Sequence, residues 1–277
     1  MLSGLAQMAT SINESPLTVV LNATSYQGKS VVKHLLSADI PYKLRVLISK
    51  AEKEQFEQFE EAGCEASTET STYAGFHTDL QDGVGIVQAA KAAGTVQLFV
   101  FSSAEAVNKL SKATLREVVS FDNKVKPAFD MSAFLSGGYS PLKLGDGTYE
   151  YALSIHAERV VLPLLDVSAD FGAFVRAAME SPAFGAGSEI LACSQEVTLV
   201  QLAREMTQVS GETVMTRQTS PFEFLSLPTN PTVEHLETLQ WAADFGYFAK
   251  KGVAPSQAAL SVKVKTWREY LEDKLER

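Results

Sequence analysis

Residues 17–22, LTVVLN, form a short apolar run rich in β-branched side chains, and a turn-like TSYQG follows before the periodic KSVVKHLLS. The change from a continuous apolar run to helical spacing predicts a strand, a tight turn and a helix. On that helix Val31, Val32, Leu35 and Leu36 form one apolar stripe, Lys29 and Lys33 face outward, and Ile40 and Pro41 end it because the residue before proline is biased away from helical dihedrals. LRVLIS at 44–49 predicts a second strand, and the charged, amphipathic Ala51–Ala62 a second helix that Gly63 caps. The next piece, 64–72, is strand-like only at its start, where Ser and Thr then dominate. A helix over Asp82–Ala93, capped by Gly94, leads to VQLFVFSS at 96–103. This run is apolar on both faces, as a central parallel strand should be, and is the strongest buried strand of the chain.

A further helix is expected near Lys112–Val119. Between about 125 and 162 the pattern becomes irregular, with Gly137, Gly138, Gly145 and Gly147 interrupting short apolar pieces. Loops and short strands beside a binding cleft have this pattern, and so does a loosely packed insert. Order returns with LPLLDV at 162–167, a helix over Phe171–Met179 and a short strand over Glu189–Ala192. Thr198 with Gln201 fits a capping box opening a helix to Val209, with Gly211 just beyond its end. An edge strand over Val214–Thr216 and helices over 232–249 and 264–276 complete the chain.

Composition narrows what this alternation of strands and helices can be. The chain has 277 residues, 45% of them apolar, enough for a large α/β domain with a smaller lobe. Its two cysteines, Cys64 and Cys193, are too few and too far apart in sequence for a disulfide scaffold or a four-ligand zinc site, and the four histidines at 34, 77, 156 and 235 have no metal-ligand spacing, so no metal is expected. With no run of about 18 apolar residues and no signal-type leader, a cytoplasmic setting away from membranes is expected. The formal net charge of −9 argues against a nucleic-acid partner, since such a surface repels phosphate backbones.

A strand that turns directly into a helix places the helix's first N–H groups where a pyrophosphate can sit, and Gly28 permits close approach. Strand-turn-helix units are also common without that role. The sequence NATSYQG, Asn22–Gly28, followed by KSVVKHLL, resembles the GATGxQG turn and helix that open proteins of the NmrA-like family, an atypical branch of the short-chain dehydrogenase/reductase superfamily. AAKAAGTVQLFVFSS at 89–103, FDNK at 121–124, KPAFDMSAFLSG at 126–137 and LPLLDVSADFGAFVRAAME at 162–180 resemble further stretches of that family, in the same order.

The resemblance implies an α/β fold: a Rossmann-like doubly wound parallel sheet with a small C-terminal α/β lobe. An extension over 1–16 would precede a NAD(P)-binding region over 17–160, with a substrate lobe over 161–277 interleaved with it. Cofactor-binding candidates are Asn22, Thr24, Ser25, Tyr26, Gln27, Gly28, Ser49 and Lys50. Asn22 and Ser25 stand where the family has glycines, so only Gly28 keeps its type. Lys50, beside Ser49 at the end of the second strand, offers a charge for a 2′-phosphate where no carboxylate waits for a ribose diol. NADP is therefore expected over NAD.

Two pieces of the family pattern are missing, one between Thr78-Asp79-Leu80 and Asp82, the other after Lys124. The first removes a central strand, so either the sheet is incomplete or the 96–102 strand moves in as the direct neighbour of the 17–22 strand. The Y-x-x-x-K signature of the superfamily is absent; Lys124, Ser102 and Ser103 are the catalytic candidates, and His156, near Tyr149 and Tyr151, is a lesser one. Implied functions are an NAD(P)H-dependent oxidoreductase acting on a small organic substrate, or a non-catalytic NADP sensor that regulates a protein partner.

Overall fold

The computed structural model describes residues 15–49, 54–69, 76–102, 107–112, 114–115, 128–185 and 187–275. The chain divides into two compact units, Met1–Tyr73 and Ala74–Arg277. In the first, strands β1 (Leu17–Leu21), β2 (Lys43–Ser49) and β3 (Glu65–Glu69) form a parallel sheet in the order β1-β2-β3. Helices α1 (Tyr26–Leu36) and α2 (Phe56–Glu61) connect them. Period-two alternation sets the register: Val20 lies opposite Val46 and Thr18 opposite Leu44, so buried Val20, Leu44, Val46 and Ile48 share one face. Val31, Val32 and Leu35 of α1 are buried as well, whereas Leu36, expected in the same stripe, is exposed. Burying an aliphatic side chain contributes about 1.5–3 kcal/mol, which is what holds a helix of only 11 residues. The opposite face of β1 keeps Leu17 and Val19 about half exposed.

The second unit begins with α3 (Phe76–Ala93), which contains the expected 82–93 helix. The expected strand over 96–102 is a correction. Its described residues carry no strand assignment, Phe101 is 60% exposed, and β1 pairs only with β2 among the described residues. A run apolar on both faces supplies the side chains of a central strand, but a strand exists only where a neighbour completes its ladder. The short helix α4 (Val107–Leu110) follows, and the helix expected near 112–119 lies largely outside the described residues.

From residue 128 the chain is densely packed. Strand β4 (Phe129–Asp130) runs into a 3-10 turn (Met131–Phe134), then β5 (Leu142–Lys143), β6 (Tyr149–Leu153) and β7 (Val161–Leu165). After β7 come helix α5 (Val167–Glu180), strand β8 (Gln195–Thr198), helix α6 (Leu199–Ser210) and strand β9 (Val214–Gln218). Helices α7 (Pro221–Leu225), α8 (Val233–Asp244), α9 (Ala254–Ala258) and α10 (Trp267–Leu275) end the chain. Two mixed sheets result. In β4-β7-β8 the first pair is parallel and the second antiparallel; in β5-β6-β9 the order of senses is reversed.

The stretch that looked irregular in sequence is core. Phe129, Met131, Phe134 and Tyr151 are buried with Trp241 and Trp267, and the Tyr151 hydroxyl donates to the Phe134 carbonyl at 2.8 Å. Each indole is satisfied, Trp241 donating to the Tyr247 carbonyl at 2.9 Å and Trp267 to that of Leu202 at 3.1 Å. The glycines in this stretch serve turns: Gly137 and Gly147 have φ of 114° and 88°. The expected strand over Glu189–Ala192 is irregular, and strand structure starts at Gln195 instead. The Leu191 N–H is nonetheless satisfied by Ser256 Oγ at 2.9 Å. No described helix is long and apolar enough to cross a membrane.

Candidate functional site

The β1–α1 turn is built by a few short bonds. Asn22 leaves β1 with φ of 51°, in the left-handed region that Asn tolerates better than most residues. The Ser25 N–H and hydroxyl both donate to the Asn22 carbonyl, at 3.1 and 2.8 Å, and the same hydroxyl accepts from the Gly28 N–H at 3.0 Å. Ser25 is thus the N-cap of α1. The Ala23 N–H reaches the Leu47 carbonyl at 3.4 Å, tying the turn to β2.

Gly28 has a definite steric reason. A Cβ there would lie 2.3 Å from the Asn22 carbonyl oxygen and 2.6 Å from the Ala23 Cα. Its bareness lets the helix start against the strand end, a close helix–strand packing that any Cβ would break.

The turn suits a pyrophosphate in charge: α1 has no acidic residue in its first turn, and the positive end of the helix dipole lies there with the amides of Tyr26 and Gln27. Thr24, Ser25 and Gln27 are partly exposed, and Tyr26, the first helical residue, is largely exposed. The side chains of Asn22 and Ser25 occupy space that two glycines would leave open. Ser25 spends its hydroxyl on the turn, which rigidifies the cradle.

Ser49 ends β2, opposite Glu69 of β3; Lys50 lies outside the described residues. Of the catalytic candidates, Ser103 and Lys124 lie outside them too. Ser102 is partly buried at the end of the irregular 95–102 segment, so the three are not brought together among the described residues. His156 shapes a turn: its carbonyl accepts from Arg159 and Val160, and its Nδ1 lies 3.4 Å from the Glu158 N–H.

Three tyrosines of the second unit, Tyr139, Tyr151 and Tyr247, are structural. Tyr139 donates to the His235 carbonyl at 3.1 Å, Tyr151 to that of Phe134, and burial raises the pKa of both and of Tyr247. Asp130, in contrast, was overlooked in the sequence. It ends β4 at the carboxyl edge of the parallel β4–β7 pair and accepts from the Ser132 N–H at 3.0 Å. Burial raises its pKa, assisted by the nearby charge of Asp166. The available signal was a carboxylate in KPAFDM where the similar family stretch is apolar.

The comparisons with known proteins agree on architecture. A model of the NmrA-like family matches residues 66–271. Among solved structures, NmrA, described as a negative transcriptional regulator, superimposes with a TM-score of 0.70 at 14% identity, over 95% of this chain and 96% of that one. Citrobacter sp. triphenylmethane reductase complexed with NADP(H) gives 0.64 at 16%, over 94% and 99%. An NADPH-dependent quinone oxidoreductase from Escherichia coli gives 0.61 at 16%, over 93% and 99%. At such identities the likeness is one of fold. A sequence comparison with curated proteins gave no match.

Proposed function

Because this chain belongs to the NmrA-like family, we propose that it binds a nicotinamide dinucleotide at the β1–α1 turn, NADP in preference to NAD, and uses it to reduce a small organic metabolite. The carrying observation is the turn itself: a bare Gly28 packed on the strand end, a Ser25 cap, a left-handed Asn22 and no carboxylate in the first turn of α1. The family model starts at residue 66, beyond this turn, so the cradle has to stand on its own geometry. Similar folds have been solved with NAD or NADP bound, which supports the choice of ligand.

In this reading residues 17–160 form the cofactor region and 161–277 the substrate lobe of a cytoplasmic protein. Asn22, Thr24, Ser25, Tyr26, Gln27 and Gly28 cradle the pyrophosphate, and Ser49 with Lys50 meets the 2′-phosphate. When bound, the nicotinamide supplies a hydride. Lys124 holds the ribose and delivers a proton, and Ser102 and Ser103 orient the substrate.

One observation favours a second reading, in which the chain senses NADP and regulates a protein partner without turnover. The buried tyrosines Tyr139, Tyr151 and Tyr247 are tied into the core, their pKa raised by burial, so none is suited to act as the general acid. Fluorescence titration with NADPH and NADH tests the shared premise: NADPH should bind more tightly, and Lys50→Glu should erase or reverse the preference. No binding of either would sink both readings. If NADPH binds, Lys124→Met separates them, since a reductase should lose at least tenfold in kcat/KM, about 1.4 kcal/mol of transition-state stabilisation, with its Tm nearly unchanged.

A further inference from the structure

A groove of about 240 Å³ lies within the Ala74–Arg277 unit, and no residue of the cofactor turn lines it. Its floor is apolar, with Val160, Pro163 and Tyr247 among its lining, and its rim carries Arg159, Lys250 and Lys251 against a single carboxylate, Glu196. Three cations against one carboxylate give this rim a positive balance in a chain of net charge −9. Lys251 is committed to Glu189 at 2.8 Å, whereas neither Arg159 nor Lys250 has an ion pair among the described residues.

The wall that carries Lys250 is built, not draped. In the loop after α8, Gly246, Ala249 and Lys250 all have positive φ, of 75°, 50° and 64°. Two of these are non-glycine residues in adjacent positions, a strained arrangement that persists only where surrounding contacts hold it. Here they do: the Ala249 N–H donates to the Gly246 carbonyl at 2.9 Å and the Lys251 N–H to that of Phe248 at 3.0 Å. The Tyr247 carbonyl is held by the Trp241 indole, and its ring packs 4.6 Å from that of Phe129. This loop places Lys250 on the groove that Arg159, on the turn before β7, borders as well.

We propose that this groove binds a small aromatic monocarboxylate, its ring on the apolar floor and its carboxylate between Arg159 and Lys250. The volume falls below the roughly 300–1,000 Å³ of sites for drug-sized ligands, which limits the occupant to about one ring. A guanidinium and an ammonium with no ion pair among the described residues select an anion, and Glu196 opposes a second negative charge. Because both cations are solvent-exposed, binding is modest and weakens as salt rises.

Calorimetry on the full chain tests this with phenylacetate and, as an uncharged control with the same ring, 2-phenylethanol. Phenylacetate should bind one to one and at least tenfold more tightly than the alcohol. The double variant Arg159→Glu/Lys250→Glu should lose at least tenfold in phenylacetate affinity, about 1.4 kcal/mol, while Glu196→Gln should gain. Ala243→Trp, at an exposed lining position, should block the groove and abolish binding with the Tm retained. No saturable binding of phenylacetate at millimolar concentration overturns the proposal. So does binding that ignores both the charge reversal and Ala243→Trp. None of these variants touches the β1–α1 turn, so NADPH titration of each reports separately on the cofactor reading.

Discussion

Gly28 shows how a single hydrogen atom can decide a local structure. With backbone atoms of Asn22 and Ala23 at 2.3–2.9 Å from any Cβ, Gly28→Ala must push α1 away from β1, because backbone cannot yield as a flexible side chain does. Overpacking of this kind costs about 1–3 kcal/mol, and the same shift disrupts the Ser25 cap. The expected result is a lower denaturation midpoint together with weakened NADPH binding. A variant of parental stability would mean that the turn is looser than its contacts imply. Asp130 makes a residue-scale prediction in pH. Its folded pKa is raised above the ordinary 3.8, chiefly by burial, so the folded state holds this proton more tightly than the unfolded chain. The stability it contributes is fully present below about 3.8 and is lost as pH rises through the folded value. Asp130→Asn keeps an oxygen for the Ser132 N–H at 3.0 Å and cannot ionise. Melting curves from about pH 4 to 7 should therefore show the variant gaining on the parent as pH rises; parallel curves would count against the assignment.

Among the elements, those legible in the sequence carry their own local signals. The capping box at Thr198 and Gln201 is present with both bonds, and Gly211 closes α6 with φ of 75°. Thr198→Ala should cost about 1 kcal/mol, seen as a lower urea midpoint with an unchanged slope; no change would show that the Gln201 side chain suffices. Strands β1 and β2 were legible because their apolar runs are bounded by turns, and β9 was found as an edge strand, two residues longer than expected. The 96–102 run misled because hydrophobicity records what a segment could bury, while a ladder depends on a partner that lies elsewhere in the chain. The converse failure is the 128–155 region. Its glycines suggested looseness, yet the aromatic contacts that order it, such as Phe134 with Trp267 at 6.4 Å, join residues far apart in sequence. The groove rimmed by Arg159 and Lys250 was invisible for the same reason, and no local signal could have revealed it.

At the scale of the whole molecule, the cofactor turn and the main core belong to different units. Among its described residues the first unit has a three-stranded sheet with far fewer buried apolar side chains than the second, the kind of small structure whose stability is marginal. The second holds the large aromatic cluster and both tryptophans, Trp241 and Trp267, each fully buried. Units with separate cores unfold with separate free energies unless their interface is strong. Tryptophan emission therefore reports the second unit alone, while far-UV ellipticity reports both. We expect heating to give a far-UV transition that begins below the tryptophan transition. A ligand binding only the folded form at a hundred times its Kd stabilises by about 2.7 kcal/mol. In a domain of this size that raises Tm by roughly 10 °C or more. Oxidised NADP should thus move the lower, far-UV transition and leave the tryptophan transition nearly in place. If the two probes give one coincident curve that the cofactor shifts as a whole, the units fold as a single cooperative body, and the stability of the cofactor turn is governed by the aromatic core rather than by its own small sheet.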